Sequence, residues 1–191
     1  MSVKDINFML NAYEVVPLYQ SLLTFCLDKN RNNSKIKEEK SPSPPSHRHI
    51  SREALGSLVL RSKELYFFHL LFAFADLVWR KLNSEASHSS TLSDASTEEI
   101  LLRMKNHPSS EEYFEVLTDA VEAVTVLDLR EVWKTPLPLD GEDIKKTFQH
   151  IPHGPYFKDI INSLQSYRLN YPHSTRDECI EYLKSIFPTY L

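Results

Sequence analysis

Between Leu65 and Trp79 the chain runs almost without a polar residue: Leu65, Tyr66, Phe67, Phe68, Leu70, Leu71, Phe72, Phe74, Leu77, Val78 and Trp79 are broken mainly by His69 and Asp76. A helix that is apolar nearly all round belongs either in a membrane or at the centre of a packed domain. A span needs about 18 or more apolar residues with few charges. This run is shorter and interrupted, so it is predicted as a buried core helix from about Lys63 to Lys81. Each fully buried aromatic or leucine there contributes about 1.5–3 kcal/mol, which makes it the expected packing centre. A second helix starts just before it, near Ser51, and carries Leu55, Leu58 and Val59.

The remaining elements are expected around this centre. Asp5 to Leu27 reads as helix, with apolar positions from Leu10 to Phe25 and a break or kink at Pro17. Residues 28–50 are rich in Asn, Ser, Lys and Glu and then turn to Ser-Pro-Ser-Pro-Pro, so they read as a disordered linker. The linker's Lys35, Lys37, Lys40 and Arg48 read as solvated, and His47 and His49 lack partner ligands. Asn83 to Thr97 reads as a Ser/Thr-rich loop. Helix resumes over Thr97–Lys105 and again over Ser109–Val126, where Phe114, Leu117, Val121 and Val124 would line the buried face. Only three glycines and few alternating runs argue for an all-α fold without a sheet. Cys26 and Cys179 are far apart and lack metal-ligand spacing, so both read as free thiols rather than a disulfide.

From Pro136 to Phe187 three helices are punctuated by two turns. Asp140 can cap the first, which carries Ile144 and Phe148 on one face. Ile151-Pro-His-Gly-Pro155 breaks the chain; Gly154 suits the cap and Pro155 the first position of the second helix, which carries Phe157, Ile160, Ile161 and Leu164 with Arg168 beyond. Thr175-Arg-Asp-Glu178 is a capping box for the third, with Ile180, Leu183 and Phe187 following. The expected organisation is an N-terminal helical segment (1–27), the linker (28–50), a helical body (51–134) and a helical tail (135–191).

The tail also carries an ordered set of motifs: Pro136-Leu-x-Leu-x-Gly-x-x-Ile144, Gly154-Pro155, Tyr167-Arg-Leu-Asn-x-Pro172 and Ser174-Thr-Arg-Asp-Glu-Cys-Ile-Glu-Tyr-Leu-Lys184. In combination these resemble the tail of eukaryotic CCA-adding enzymes, tRNA nucleotidyltransferases of the superfamily that includes bacterial poly(A) polymerases. The likeness covers roughly a quarter of the chain. Ser51-Arg-Glu-x-x-Gly-x-x-x-x-Arg61, and the step through Leu127 to Trp133, resemble the body of the same enzymes more weakly. Trp133 itself reads as core.

The resemblance implies a role in binding and orienting tRNA during 3′-CCA addition, with tRNA as partner and no membrane or DNA. Lys145, Lys146, Gly154, Lys158 and Arg168 are the implied tail contacts with RNA. Arg52 and Arg61 either face RNA or form surface ion pairs. With a net charge of −4, any RNA contact must come from local patches. A cytoplasmic location is implied, with nuclear or mitochondrial copies open.

Catalysis is expected elsewhere. CCA addition requires a DxD aspartate pair, following a Gly-Ser step on a sheet, to hold two metal ions. Here Gly56-Ser57 lies in a helical pattern and no DxD follows, while Asp140-Gly-Glu-Asp143 reads as a helix start. The Glu-Asp-x-x-Arg nucleotide-templating motif is also missing, and Asp128-Leu-Arg130 does not match it. No cofactor is expected on this chain; a parent enzyme would use Mg2+ with CTP and ATP at a catalytic head, the chain being a truncated product, a gene fragment or one half of a split enzyme whose head is a separate chain. The competing reading is a stand-alone helical protein-interaction module.

Overall fold

The computed structural model describes residues 3–36, 50–85, 98, 102, 105–106, 110–152 and 155–191. Most of these are helical, with no strand among them, and the fold is all-α. The chain divides into two compact units, Met1–Glu131 and Val132–Leu191.

Among the described residues the first unit is built on α1 (Val3–Ile36), α2 (Arg52–Ser62), α3 (Tyr66–Glu85) and α4 (Ser110–Val126). Val15, Tyr19, Leu23, Cys26 and Leu27 recur at helical spacing down α1 and are buried. Helix α1 is not broken at Pro17, and it continues through Asp28–Ile36, which the sequence assigns to linker. Each departure has a physical cause. Pro17 and Tyr13 face solvent, so the Tyr13 carbonyl that loses its amide partner can be hydrated. Beyond Leu27, Arg31 clasps Glu112 of α4 through Nε–Oε1 at 2.9 Å and Nη2–Oε2 at 3.1 Å, a forked pairing that ties this stretch to the unit. At the other end of the expected linker, Ile50 is buried; residues 37–49 lie outside the described residues.

Ser51 caps α2 by accepting from the Ala54 amide at 3.3 Å, as its position before the apolar periodicity predicts. Lys63 ends this helix with φ 51° and ψ −132°. The chain passes through a 3₁₀ turn, Lys63–Leu65, and only then enters α3. In the buried interior the Ser62 hydroxyl donates to Tyr19 Oη at 3.3 Å, and burial holds the Tyr19 phenol far above its ordinary pKa.

Helix α3 packs against α1, α2 and α4 through His69, Leu70, Ala73, Phe74, Val78 and Leu82. It is not buried all round. Phe68 is 54% exposed and Phe72 52%, with Phe67 and Trp79 also exposed. Phe68, Phe72, Ala75 and Trp79 follow i, i+4, i+7, i+11 spacing and share one face, and the three neighbouring helices occupy the opposite one. The expected helix over Thr97–Lys105 is described only at Glu98, Leu102 and Lys105, all helical. Of the expected loop, Asn83–Glu85 belong to α3 and residues 86–97 lie outside the described residues.

On α4 the buried stripe is Val116, Ala120, Ala123 and Val124; of the expected Phe114, Leu117, Val121 and Val124, Val124 is buried, Leu117 and Val121 are half-buried and Phe114 is exposed. Small alanines admit close helix approach, so the core face is set by backbone proximity and not by the largest side chains. Phe114 remains half outside but lays its ring against Phe74, with centroids 5.3 Å apart. The helix ends in a Schellman turn: Leu129 N–H donates to Val124 O at 2.8 Å, Asp128 N–H to Thr125 O at 3.1 Å, and Asp128 takes φ 51°.

Among its described residues the second unit contains a 3₁₀ turn (Val132–Lys134) holding the half-buried Trp133, three helices and a closing 3₁₀ turn (Pro188–Tyr190). Helix α5 (Gly141–Thr147) starts at a capping box. Asp140 Oδ1 accepts from the amides of Glu142 and Asp143 at 2.8 Å each, and Asp143 returns a bond to the Asp140 amide. Helix α7 (Arg176–Ile186) starts at the second box, where Thr175 N–H donates to Glu178 Oε2 at 2.7 Å. Between them runs α6 (Tyr156–Asn170), which stops at Tyr171-Pro172. Leu139, Ile144, Phe148, Ile160, Leu164, Cys179 and Leu183 form one core. Cys26 and Cys179 are buried free thiols, one in each unit.

Candidate RNA-binding surface

Helices α5 and α6 carry Lys145, Lys146 and Lys158. The Phe157 ring lies where a Cβ on Gly141 would sit 3.6 Å from it, so the starts of α5 and α6 are neighbours. Lys145 and Lys146 occupy the last turn of α5 and are exposed. Lys146 Nζ stands 3.9 Å from Glu142 one turn back, a solvent-screened contact of small energy. Lys158 lies in the first turn of α6, exposed, with no ion pair among the described residues.

The α6 start differs by one residue from the expectation. Pro155 is the cap, with φ −73° and ψ −10°, and Tyr156 is the first helical residue. A proline cap has no side-chain acceptor. Its carbonyl instead accepts from the Lys158 and Asp159 amides at 2.9 and 3.2 Å, leaving the Tyr156 and Phe157 amides without an acceptor among the described residues. An anion is favoured at such an end, although Asp159 already brings a negative charge to the first turn. Gly154 lies outside the described residues.

Arg168 sits in the last turn of α6, half-buried. Ten residues separate it from Lys158, about 15 Å along the axis at 1.5 Å per residue, so the two do not share one patch. Arg52 and Arg61 belong to the first unit, at opposite ends of α2. The Arg52 Nε–H donates to the Leu127 carbonyl at 2.8 Å, where it satisfies an end group of α4. Arg61 is exposed, and its backbone carbonyl accepts from Asn11 at 3.2 Å.

The carboxylates around α5 are structural. Asp140 is spent on the capping box, and its accepted backbone bonds hold its carboxyl below the usual carboxylate range. Asp143 completes that box and pairs with Arg176 at the start of α7. Gly56 and Ser57 lie within α2, Gly56 buried. Among the described residues no group of three or more His, Cys, Asp or Glu is placed to hold a metal, and no helix is long and apolar enough to cross a membrane.

Three tyrosines to which the sequence reading gives no role are gathered in the tail. Tyr182 of α7 stacks on Tyr167 with centroids 4.1 Å apart and planes 18° from parallel, and Tyr171 adds to Tyr167 at 4.8 Å and 39°. The spacing of Tyr167 and Tyr171, four apart at a helix end, is the signal that could have pointed to them. No protein family matches the chain, and neither does any curated protein or solved structure.

Proposed function

We propose that this chain is the tRNA-binding body-and-tail portion of a CCA-adding tRNA nucleotidyltransferase, acting in tRNA 3′-end CCA addition with catalysis supplied by a head outside it. The observation that carries the reading is the division of labour within the tail motifs. Their capping and apolar members, Leu139, Asp140, Ile144, Thr175, Glu178, Cys179 and Leu183, make the caps and core. Positive groups held on a rigid, acid-balanced scaffold suit local phosphate contacts.

The test uses tRNA lacking its 3′ end. The chain is expected to bind it with an affinity that falls as salt rises, to protect it in footprinting, and to incorporate neither CTP nor ATP. Absence of protection would overturn the tRNA role, and metal-dependent incorporation would overturn the placing of catalysis elsewhere.

A second reading, a helical protein-interaction module, is favoured by one feature: the exposed Phe68, Phe72 and Trp79 face of α3. Tight binding to a protein partner in the absence of tRNA would select it.

A further inference from the structure

The tyrosine column of the tail has an open end. Tyr182 and Tyr167 pack against the tail core, whereas Tyr171, the outermost ring, is 58% exposed. One face of Tyr171 meets Tyr167, and no other ring among the described residues covers the opposite face. Its backbone is fixed independently of any ligand: the Tyr171 amide donates to Tyr167 O at 2.8 Å and its carbonyl accepts from Ser174 at 3.1 Å. A rigid ring of this kind binds a flat partner at low ordering cost.

We infer that the outer face of Tyr171 is a stacking site for an unpaired RNA base, with Arg168 holding the adjoining phosphate. Tyr171 caps the C-terminal end of α6 three residues after Arg168, which lies in its last turn, so both belong to the same helix end. Arg168 has no ion pair among the described residues, and its guanidinium is free to meet an anion. Glu178, the carboxylate that acts on Tyr167, is committed to the Thr175 amide and hydroxyl. The occupant must therefore be planar on one side and anionic on the other, as a nucleotide is. A proline-rich peptide would need a groove between separated rings, and here the rings are in contact, Tyr182 stacked on Tyr167 and Tyr171 tilted against it. A base in a duplex offers no free face, which restricts the site to loops and single strands.

This inference rests on the RNA-binding reading above, and its test separates the two. Tyr171→Trp in the full chain places an indole at the site, read as the fluorescence difference from the parent chain with its own two tryptophans. Single-stranded oligoadenylate of eight residues is expected to quench it, and the same strand annealed to oligouridylate is not. Tyr171→Leu, which keeps apolar bulk but removes the ring, should weaken oligoadenylate binding about tenfold, within the range base–aromatic stacking contributes. Tyr171→Phe should bind like the parent. The salt slope should stay unchanged in the leucine variant and fall by about 0.7 in Arg168→Gln. No quenching, or equal affinity of leucine and parent chains for oligoadenylate, overturns the site even if tRNA is bound. Quenching and a leucine effect in a chain that does not bind tRNA retain the site and overturn the tRNA role. Quenching by a proline-rich peptide but not by RNA overturns the choice of ligand.

Discussion

Replacing Lys63 by glycine should stabilise the first unit. Lys63 is exposed, and its side chain makes no ion pair among the described residues. Its φ of 51° with ψ −132° lies outside the small left-handed helical region and close to backbone space that glycine alone enters freely. Such a residue carries about 1–3 kcal/mol of strain. Glycine removes the clash but returns about 0.5–1 kcal/mol through its more flexible unfolded chain. The net gain is about 1 kcal/mol, or about 2–4 °C in Tm for a chain of this size. Lys63→Ala is the control: it keeps Cβ and hence the strain, and should move stability by no more than about 0.5 kcal/mol. Both variants would be followed by circular dichroism during thermal and urea unfolding. A glycine variant no more stable than the alanine variant, at equal helicity, would refute the strain argument.

Leu164→Ala, in a fully buried position of the tail core, should destabilise the second unit by about 2–5 kcal/mol, read by hydrogen exchange of α6 and α7 amides. Lys158→Glu should weaken tRNA binding at unchanged helicity and lower the log–log salt slope by about 0.9 for duplex-like RNA; equal affinity and slope would remove Lys158 from the surface. Burial lowers the pKa of His69 below its ordinary 6.5, so the unfolded chain takes up the proton first. Stability from this group is therefore complete above pH 6.5 and is lost as pH falls towards the folded value. His69→Gln should flatten that part of the urea midpoint–pH curve relative to the parent.

Local rules made some of these elements readable. Ser51, Asp140 and Thr175 cap the helices their spacing announces, because a cap depends on residues within one turn. Features that depend on distant partners were not readable in this way. The α4 core face turns on Ala120 and Ala123, chosen by helix approach rather than hydrophobic size. The extension of α1 beyond Leu27 depends on Glu112 lying opposite Arg31. The run in α3 is too apolar to show which side its neighbours take, and the positive φ of Lys63 and Asp128 falls on residues other than glycine. At the candidate surface the exposed lysines could be picked out from composition around the turns. That Arg52 is engaged by Leu127, and that Tyr182 reaches Tyr167 from another helix, required the fold.

The distribution of the two cysteines gives the chain a built-in clock. Cys26 is sealed in the first unit and Cys179 in the second, and burial beside Asp119 pushes the Cys26 thiol up to about 11. A thiol reagent attacks the thiolate, so Cys26 in the folded state is shielded by chemistry as well as by packing. Labelling at each site then counts the openings of its own unit. Peptide mass spectrometry after timed alkylation would resolve the two rates in one sample, without a tag or a substitution.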